Sequence, residues 1–206
     1  MQIIDISMEI DEDMPCYPGN PQPQIERYRE IPEDSTTESE ITIGSHTGTH
    51  VDAPQHVKEG AEPVKGLDLE NFYGDAVVLD LTHCTEKVDR KDLEDVVIDA
   101  SIVLLKTGNS LAGYDEFRED FTYVTLEAVE YLINQGVETV GIDYLSLVNF
   151  EDSEEAERAH RKANDRMNVI EGLDLSGADP GSYTFSGMPL KMKTDGAPMR
   201  AVLIDE

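Results

Sequence analysis

Three histidines and one aspartate, His46, His50, Asp52 and His56, fall within the segment HTGTHVDAPQH that spans residues 46–56, although the whole chain holds only 5 histidines. Imidazole and carboxylate together suit zinc, manganese or ferrous iron. Two histidines with one carboxylate leave coordination positions open for water and substrate, as a catalytic site does and a closed structural site does not. Residues four apart share a helix face, but Asp52 follows His50 by two, and Pro54 disfavours a helical Ala53. A turn therefore suits the cluster better. Gly48 permits a tight bend that lets His46 and His50 converge, and the hydroxyls of Thr47 and Thr49 are placed to fix neighbouring backbone or ligands.

The elements that must position this cluster can be traced from patterning. Residues 40–43 alternate just before it, which puts the cluster where a strand opens into a turn. Residues 3–10 alternate weakly and suit a short strand, and residues 14–21, with three prolines and a glycine, form a rigid loop. Residues 75–81 and 101–106 are β-branched apolar runs typical of buried strands. Thr125 can cap a helix in which Ala128, Val129, Leu132 and Ile133 repeat at helical spacing until Gly136 stops it. Residues 137–142 form the next strand, Ser153 caps a charged helix running to residue 164, and residues 168–175 and 199–204 complete the strands. The sum is a single mixed α/β domain over residues 1–206, richer in strand than in helix.

Composition narrows the function. A chain of 206 residues builds a core without disulfide or metal staples, so a bound metal is expected to serve chemistry. With 44 acidic against 16 basic residues the formal charge is -28, which repels nucleic acid phosphates and anionic membranes. The acids are spread along the whole chain, a global surface property that fits a cytoplasm of very high salt, where the Debye length shrinks to about 3 Å. Two cysteines, Cys16 and Cys84, offer no disulfide framework and are expected to be small packing residues; His83 has no partner nearby in sequence and is expected to be structural. The N-terminus lacks a signal peptide's basic start and apolar core, and no apolar run approaches the roughly 20 residues of a membrane span, so a cytoplasmic protein is expected.

The segment at 46–56 resembles the signature of the bacterial kynurenine formamidase-like hydrolases, the cyclase family, whose pattern runs His-x-Gly-Thr-His-x-Asp-x-Pro-x-His. The likeness extends along the chain in family order: Ile4-Asp5-Ile6-Ser7, Tyr17-Pro18-Gly19-Asn20-Pro21, Leu105-Lys106-Thr107-Gly108, Gly141-Ile142-Asp143 with Ser146, Ala159-His160-Arg161, Ile170-Glu171-Gly172-Leu173 and Gly196-Ala197-Pro198-Met199-Arg200. The resemblance implies a swivelling β/β/α fold in which His46, His50 and Asp52 hold one divalent metal, zinc or manganese. It further implies that Asp52 bridges to a second metal held by His160 and Glu171, so one or two ions per subunit, with His56 as the proton-transfer residue. Two departures accompany it: His160 and Glu171 stand one residue closer than is usual in the family, and Tyr17 stands where its formamidases often carry tryptophan. Tyr17 is a candidate to stack on an aromatic substrate. The activity implied is hydrolysis of an amide-type C–N bond in a small molecule, an aryl formamide such as N-formylkynurenine in tryptophan catabolism or a cyclic amide such as isatin, by a homo-oligomer, dimer or tetramer. Two rivals stand beside it: a metal-binding or regulatory protein that kept the scaffold, and an acidic surface that binds cations or a basic partner.

Overall fold

The computed structural model of the chain describes residues 1–151 and 153–205; Asp152 and Glu206 lie outside the described residues. The strands of the first half are β1 (Gln2–Asp5), β2 (Gln24–Arg29), β3 (Glu38–Thr42), β4 (His50–Asp52), β5 (Tyr73–Leu81), β6 (Lys87–Val88) and β7 (Ile102–Thr107). Those of the second half are β8 (Tyr123–Val124), β9 (Thr139–Ile142), β10 (Asn168–Glu171), β11 (Gly181–Ser186), β12 (Gly196–Pro198) and β13 (Val202–Asp205). Among the described residues four α-helices accompany them, α1 (Arg90–Leu93), α2 (Asn109–Ala112), α3 (Leu126–Asn134) and α4 (Glu154–Arg166).

Nine strands form one sheet in the order β1-β13-β11-β5-β7-β9-β10-β4-β12, while β2 and β3 pair as a separate hairpin. The central four, β5, β7, β9 and β10, run parallel, and β4 lies antiparallel to both β10 and β12. Burial on both faces explains the continuous apolar runs at residues 76–79 of β5 and 102–105 of β7. Val77, Leu79 and Leu81 with Val103 and Leu105 face one core. Ala76 and Val78 with Ile102 and Leu104 face the other.

The two cores are different in kind. On the outer face, Ala128, Val129 and Leu132 of α3 and Ala159 and Ala163 of α4 pack over Val140, Ile142 and Val169. On the inner face the sheet curls until its ends meet: Ile6, Ala201 and Leu203 from one end share a cluster with Val51, Ala53 and Ala197 from the other. Ser7 completes the closure by bridging to Leu173. A curled sheet with helices along one side is the mixed α/β architecture expected of the chain.

Both expected helix caps form. Thr125 Oγ1 accepts from the Ala128 amide at 3.3 Å and Ser153 Oγ from the Ala156 amide at 3.1 Å. The strand expected over residues 168–175 ends early, at Glu171, because Gly172 turns the chain with φ of 70°.

Candidate metal centre

The histidine cluster starts in a turn, but His50, Val51 and Asp52 form β4, held between β10 and β12. Alternation along a strand puts His50 and Asp52 on one side and Val51 in the inner core. The spacing of two that rules out a helix face is thus the strand period, which the expectation of a turn overlooked. The register then adds a third donor, since Glu171 of β10 lies directly opposite His50. Cross-strand partners hold their Cβ atoms about 4.5–5.5 Å apart on the same face.

Two glycines allow this approach. A Cβ at Gly172 would lie 2.4 Å from the Gly48 carbonyl oxygen, so only glycine lets the end of β10 abut the turn, where Thr49 Oγ1 donates to the Gly172 carbonyl at 2.5 Å. A Cβ at Gly196 would lie 2.7 Å from His46 Cε1, so the imidazole rests directly on the backbone of β12.

Three imidazoles converge on Asp52. Its Oδ1 lies 2.9 Å from His46 Nδ1 and 3.5 Å from His50 Nε2, and its Oδ2 lies 3.1 Å from His160 Nε2. His160 comes from α4, two positions of which, Ala159 and Ala163, are packed into the outer core. Glu171 Oε2 is 3.6 Å from His50 Nε2, while its Oε1 accepts from the Leu147 amide at 2.7 Å. His56, on the short turn Pro54–His56, points Nδ1 toward Asp195 Oδ2 at 3.5 Å. Ligand atoms of His46, Asp52 and His56 lie within 4.8 Å of one another, as do those of His50, Asp52 and Glu171. Asp52 is common to both sets.

The electrostatics call for positive charge. Burial raises the Asp52 pKa, but the neighbouring imidazoles of His160, His46 and His50 outweigh it and hold the carboxyl well below its usual range. Burial pulls His50 down, yet the Asp52 and Glu171 carboxylates more than offset this and lift its pKa to about 10. A proton on Nε2 is one answer to that demand and a dication is another. His50 Nδ1 donates to the Gly48 carbonyl at 2.8 Å, a bond that requires the hydrogen on Nδ1 and leaves Nε2 free to act as a ligand. His50 Nε2 and Asp52 Oδ1 are buried and make no hydrogen bond, a state that costs about 1–3 kcal/mol for each such group. A ring lone pair and an anionic oxygen orphaned side by side fit a divalent cation, and a donor set of nitrogen and oxygen suits zinc or manganese.

A cavity of about 250 Å³ opens over these groups, lined by His46, His56, His160 and Glu171 together with Tyr17 and Leu145. Tyr17 packs edge-on against Phe117 and Phe150, with centroids 5.4 and 5.6 Å away. The segment bearing Leu145 is tied down by Asp143, which accepts from the Thr107 amide at 2.8 Å and the Ser110 amide at 3.0 Å. Every residue expected at the site, His46, His50, Asp52, His56, His160, Glu171 and Tyr17, therefore lies at this cavity or beneath it. His83 lies elsewhere. Asp195 was not anticipated: its Oδ2 sits 2.8 Å from His46 Nε2, and its Oδ1 accepts from Ser45 Oγ at 3.1 Å. Nothing in its sequence surroundings marks it, apart from its place just ahead of Gly196-Ala197-Pro198.

The class these features define is a mixed α/β domain that gathers histidines and carboxylates near the carboxyl ends of parallel strands, beneath a cavity sized for a small molecule. The chain belongs to the cyclase family. Residues 4–148 match the family model described as "Putative cyclase". A kynurenine formamidase of Geobacillus thermodenitrificans (strain NG80-2) is 32% identical over 202 residues, covering 97% of this chain and 96% of that protein. A solved structure described as a potential metal-dependent hydrolase with cyclase activity superposes with a TM-score of 0.86 at 33% identity, covering 100% of this chain and 98% of that one. An isatin hydrolase bound to the product analogue thioisatinate shares the fold, with a TM-score of 0.85 at 20% identity over 100% of this chain and 93% of its own.

Proposed function

We propose that the protein is a metal-dependent hydrolase that cleaves the amide-type C–N bond of a small substrate, with an aryl formamide such as N-formylkynurenine as the leading candidate. The observation that carries this reading is the convergence of three imidazoles on the two oxygens of one buried carboxylate, directly beneath a cavity of substrate size. The kynurenine formamidase relative supports the choice of substrate.

His46, His50 and Asp52 would hold one zinc or manganese ion, and His160 and Glu171, with Asp52 shared, a second. Such an ion supplies Lewis-acid polarisation of the scissile carbonyl and draws the pKa of water toward about 7. The protein's own part is proton transfer and orientation. His56 directs Nδ1 at Asp195, which leaves Nε2 to take a proton from the attacking water and return it to the leaving nitrogen. The amide of Leu147 fixes Glu171, and the Gly48 carbonyl fixes His50, so neither donor needs to reorient during turnover. Tyr17 presents an aromatic face for an aryl group.

Turnover of N-formylkynurenine, measured beside isatin, tests the reading. His56→Ala keeps its metal by elemental analysis and loses about 10²- to 10⁴-fold in kcat, whereas His46→Ala releases metal. A His56→Ala protein as active as the parent overturns the assignment of His56, and hydrolysis of isatin alone moves the substrate from formamides to cyclic amides.

The surface belongs to a cytoplasm of high salt. A formal charge of -28 leaves the acids without enough cations of their own, so screening must come from solvent. The melting temperature rises steeply between dilute buffer and molar KCl; a melting temperature indifferent to KCl would remove this part of the proposal. Assembly into a dimer or tetramer is supported by the β2–β3 hairpin, which exposes Tyr28, Ile31 and Ile41. A two-stranded ribbon alone in water is marginal at best.

A further inference from the structure

A second group of donors lies away from the cavity, where the chain leaves β5. His83 Nε2 is 3.5 Å from Cys84 Sγ and 4.0 Å from Asp92 Oδ1, and the three ligand atoms lie within 4.8 Å of one another. We propose that His83, Cys84 and Asp92 form a second, sulfur-containing cation site that takes a borderline-soft dication such as zinc, with its remaining coordination position open to water.

The geometry supports this on several counts. Bond lengths of about 2.3 Å to sulfur and 2.0–2.1 Å to nitrogen, at tetrahedral angles, place those two ligand atoms about 3.5 Å apart, the separation observed between Sγ and Nε2. Asp92 is oriented independently of any ion: its Oδ2 accepts from the Asp89 amide at 2.8 Å in the capping box of α1, which leaves Oδ1 free. The His83 side chain is 64% exposed and can rotate to shorten its distance to Asp92. Cys84 is buried in the outer core and cannot move far.

The site is distinct from the hydrolytic one. Cys84 follows β5 and Glu171 ends β10, three strand spacings apart in the sheet, or about 14 Å. A cation here would staple the segment after β5 to the start of α1. The inference does not depend on the hydrolase reading, because none of His46, His50, Asp52, His160 and Glu171 carries sulfur.

That difference in donors supplies the test. Cobalt(II) is titrated into the 206-residue chain, stripped of metal with a chelator, and the thiolate-to-cobalt charge-transfer absorption is followed in the near ultraviolet. The band is expected in the parent and in Cys16→Ser, and is lost in Cys84→Ser while hydrolytic activity is kept. His83→Ala, an exposed substitution that leaves the core untouched, weakens the cobalt affinity read from the band by at least about tenfold, as loss of even an outer-shell partner does. Absence of the band at saturating cobalt overturns the site. So does a band that survives in Cys84→Ser, or one that His83→Ala leaves unchanged.

Discussion

The floor of the cavity and its rim use the same residue types in opposite settings. His50 and Asp52 are buried on β4 between β10 and β12, and Glu171 is buried on β10 opposite His50. His56 and Asp195 sit on a turn and a loop, with side chains 30% and 41% exposed, while His46, 15% exposed, joins the two settings by touching both Asp52 and Asp195. Holding a cation rewards the first setting, because desolvated donors fixed by a sheet lose little freedom on binding and interact strongly in a low dielectric. Exchanging protons with solvent and substrate requires the second. One short stretch of chain supplies both by running from turn to strand to turn within residues 46–56.

The comparison breaks most readily at Asp52, the one residue that belongs to both donor sets. Asp52→Ala removes both oxygens on which His46, His50 and His160 converge. The expected outcome is loss of bound metal by elemental analysis together with loss of measurable turnover. Asp52→Asn, which keeps the shape but not the charge, is expected to fail in the same way. A well-folded Asp52→Ala protein with its full complement of metal would show that the floor is not where the cation sits.

Much of this cluster of donors is legible in the sequence, and the reasons are specific. His46, His50, Asp52 and His56 crowd into one segment, so their joint presence stood out against 5 histidines in the chain. His160 and Glu171 arrive from α4 and β10, and without the family likeness an acidic helix with one histidine is a solvated face like many others. Asp195 stayed hidden because its role comes from the β12 side of the sheet, 149 residues from His46, and one more aspartate in an acidic chain draws no notice. In the fold, the apolar central strands and the capped helices α3 and α4 were legible from periodicity and caps. Strand β11, Gly181–Ser186, was not: Tyr183 and Phe185 alternate with Ser182, Thr184 and Ser186, but two apolar positions are a short signal, and the strand is held chiefly by antiparallel pairing to β5 and β13.

A smaller effect is expected at Asp195, which sharpens the boundary between floor and rim. Its carboxylate faces His46 Nε2 at 2.8 Å and His56 Nδ1 at 3.5 Å, so it orients one candidate ligand and the candidate proton carrier together. Asp195→Asn retains a hydrogen-bonding group but loses the charge, and a loss of about 10- to 100-fold in kcat is expected, the usual range for an outer partner of a ligating histidine. Metal content should fall far less than in Asp52→Ala. Complete release of metal from Asp195→Asn would instead show that His46 holds the cation only while Asp195 orients it.

The smallest effect belongs to Tyr17, the outermost of these residues, and it separates contact from chemistry. Burial, then the nearby Glu171 carboxylate, raise its pKa, so the phenol stays protonated at neutral pH and takes no part as a base. What it offers is a ring already braced edge-on by Phe117 and Phe150. An aromatic pair contributes about 0.5–1.5 kcal/mol beyond area burial, so Tyr17→Ala is expected to raise KM for an aryl formamide roughly 2- to 12-fold with kcat nearly unchanged. Tyr17→Phe, which keeps the ring, should match the parent. If Tyr17→Phe lowers kcat instead, the hydroxyl acts on the reacting atoms and the rim contributes more to the chemical step than His56 alone.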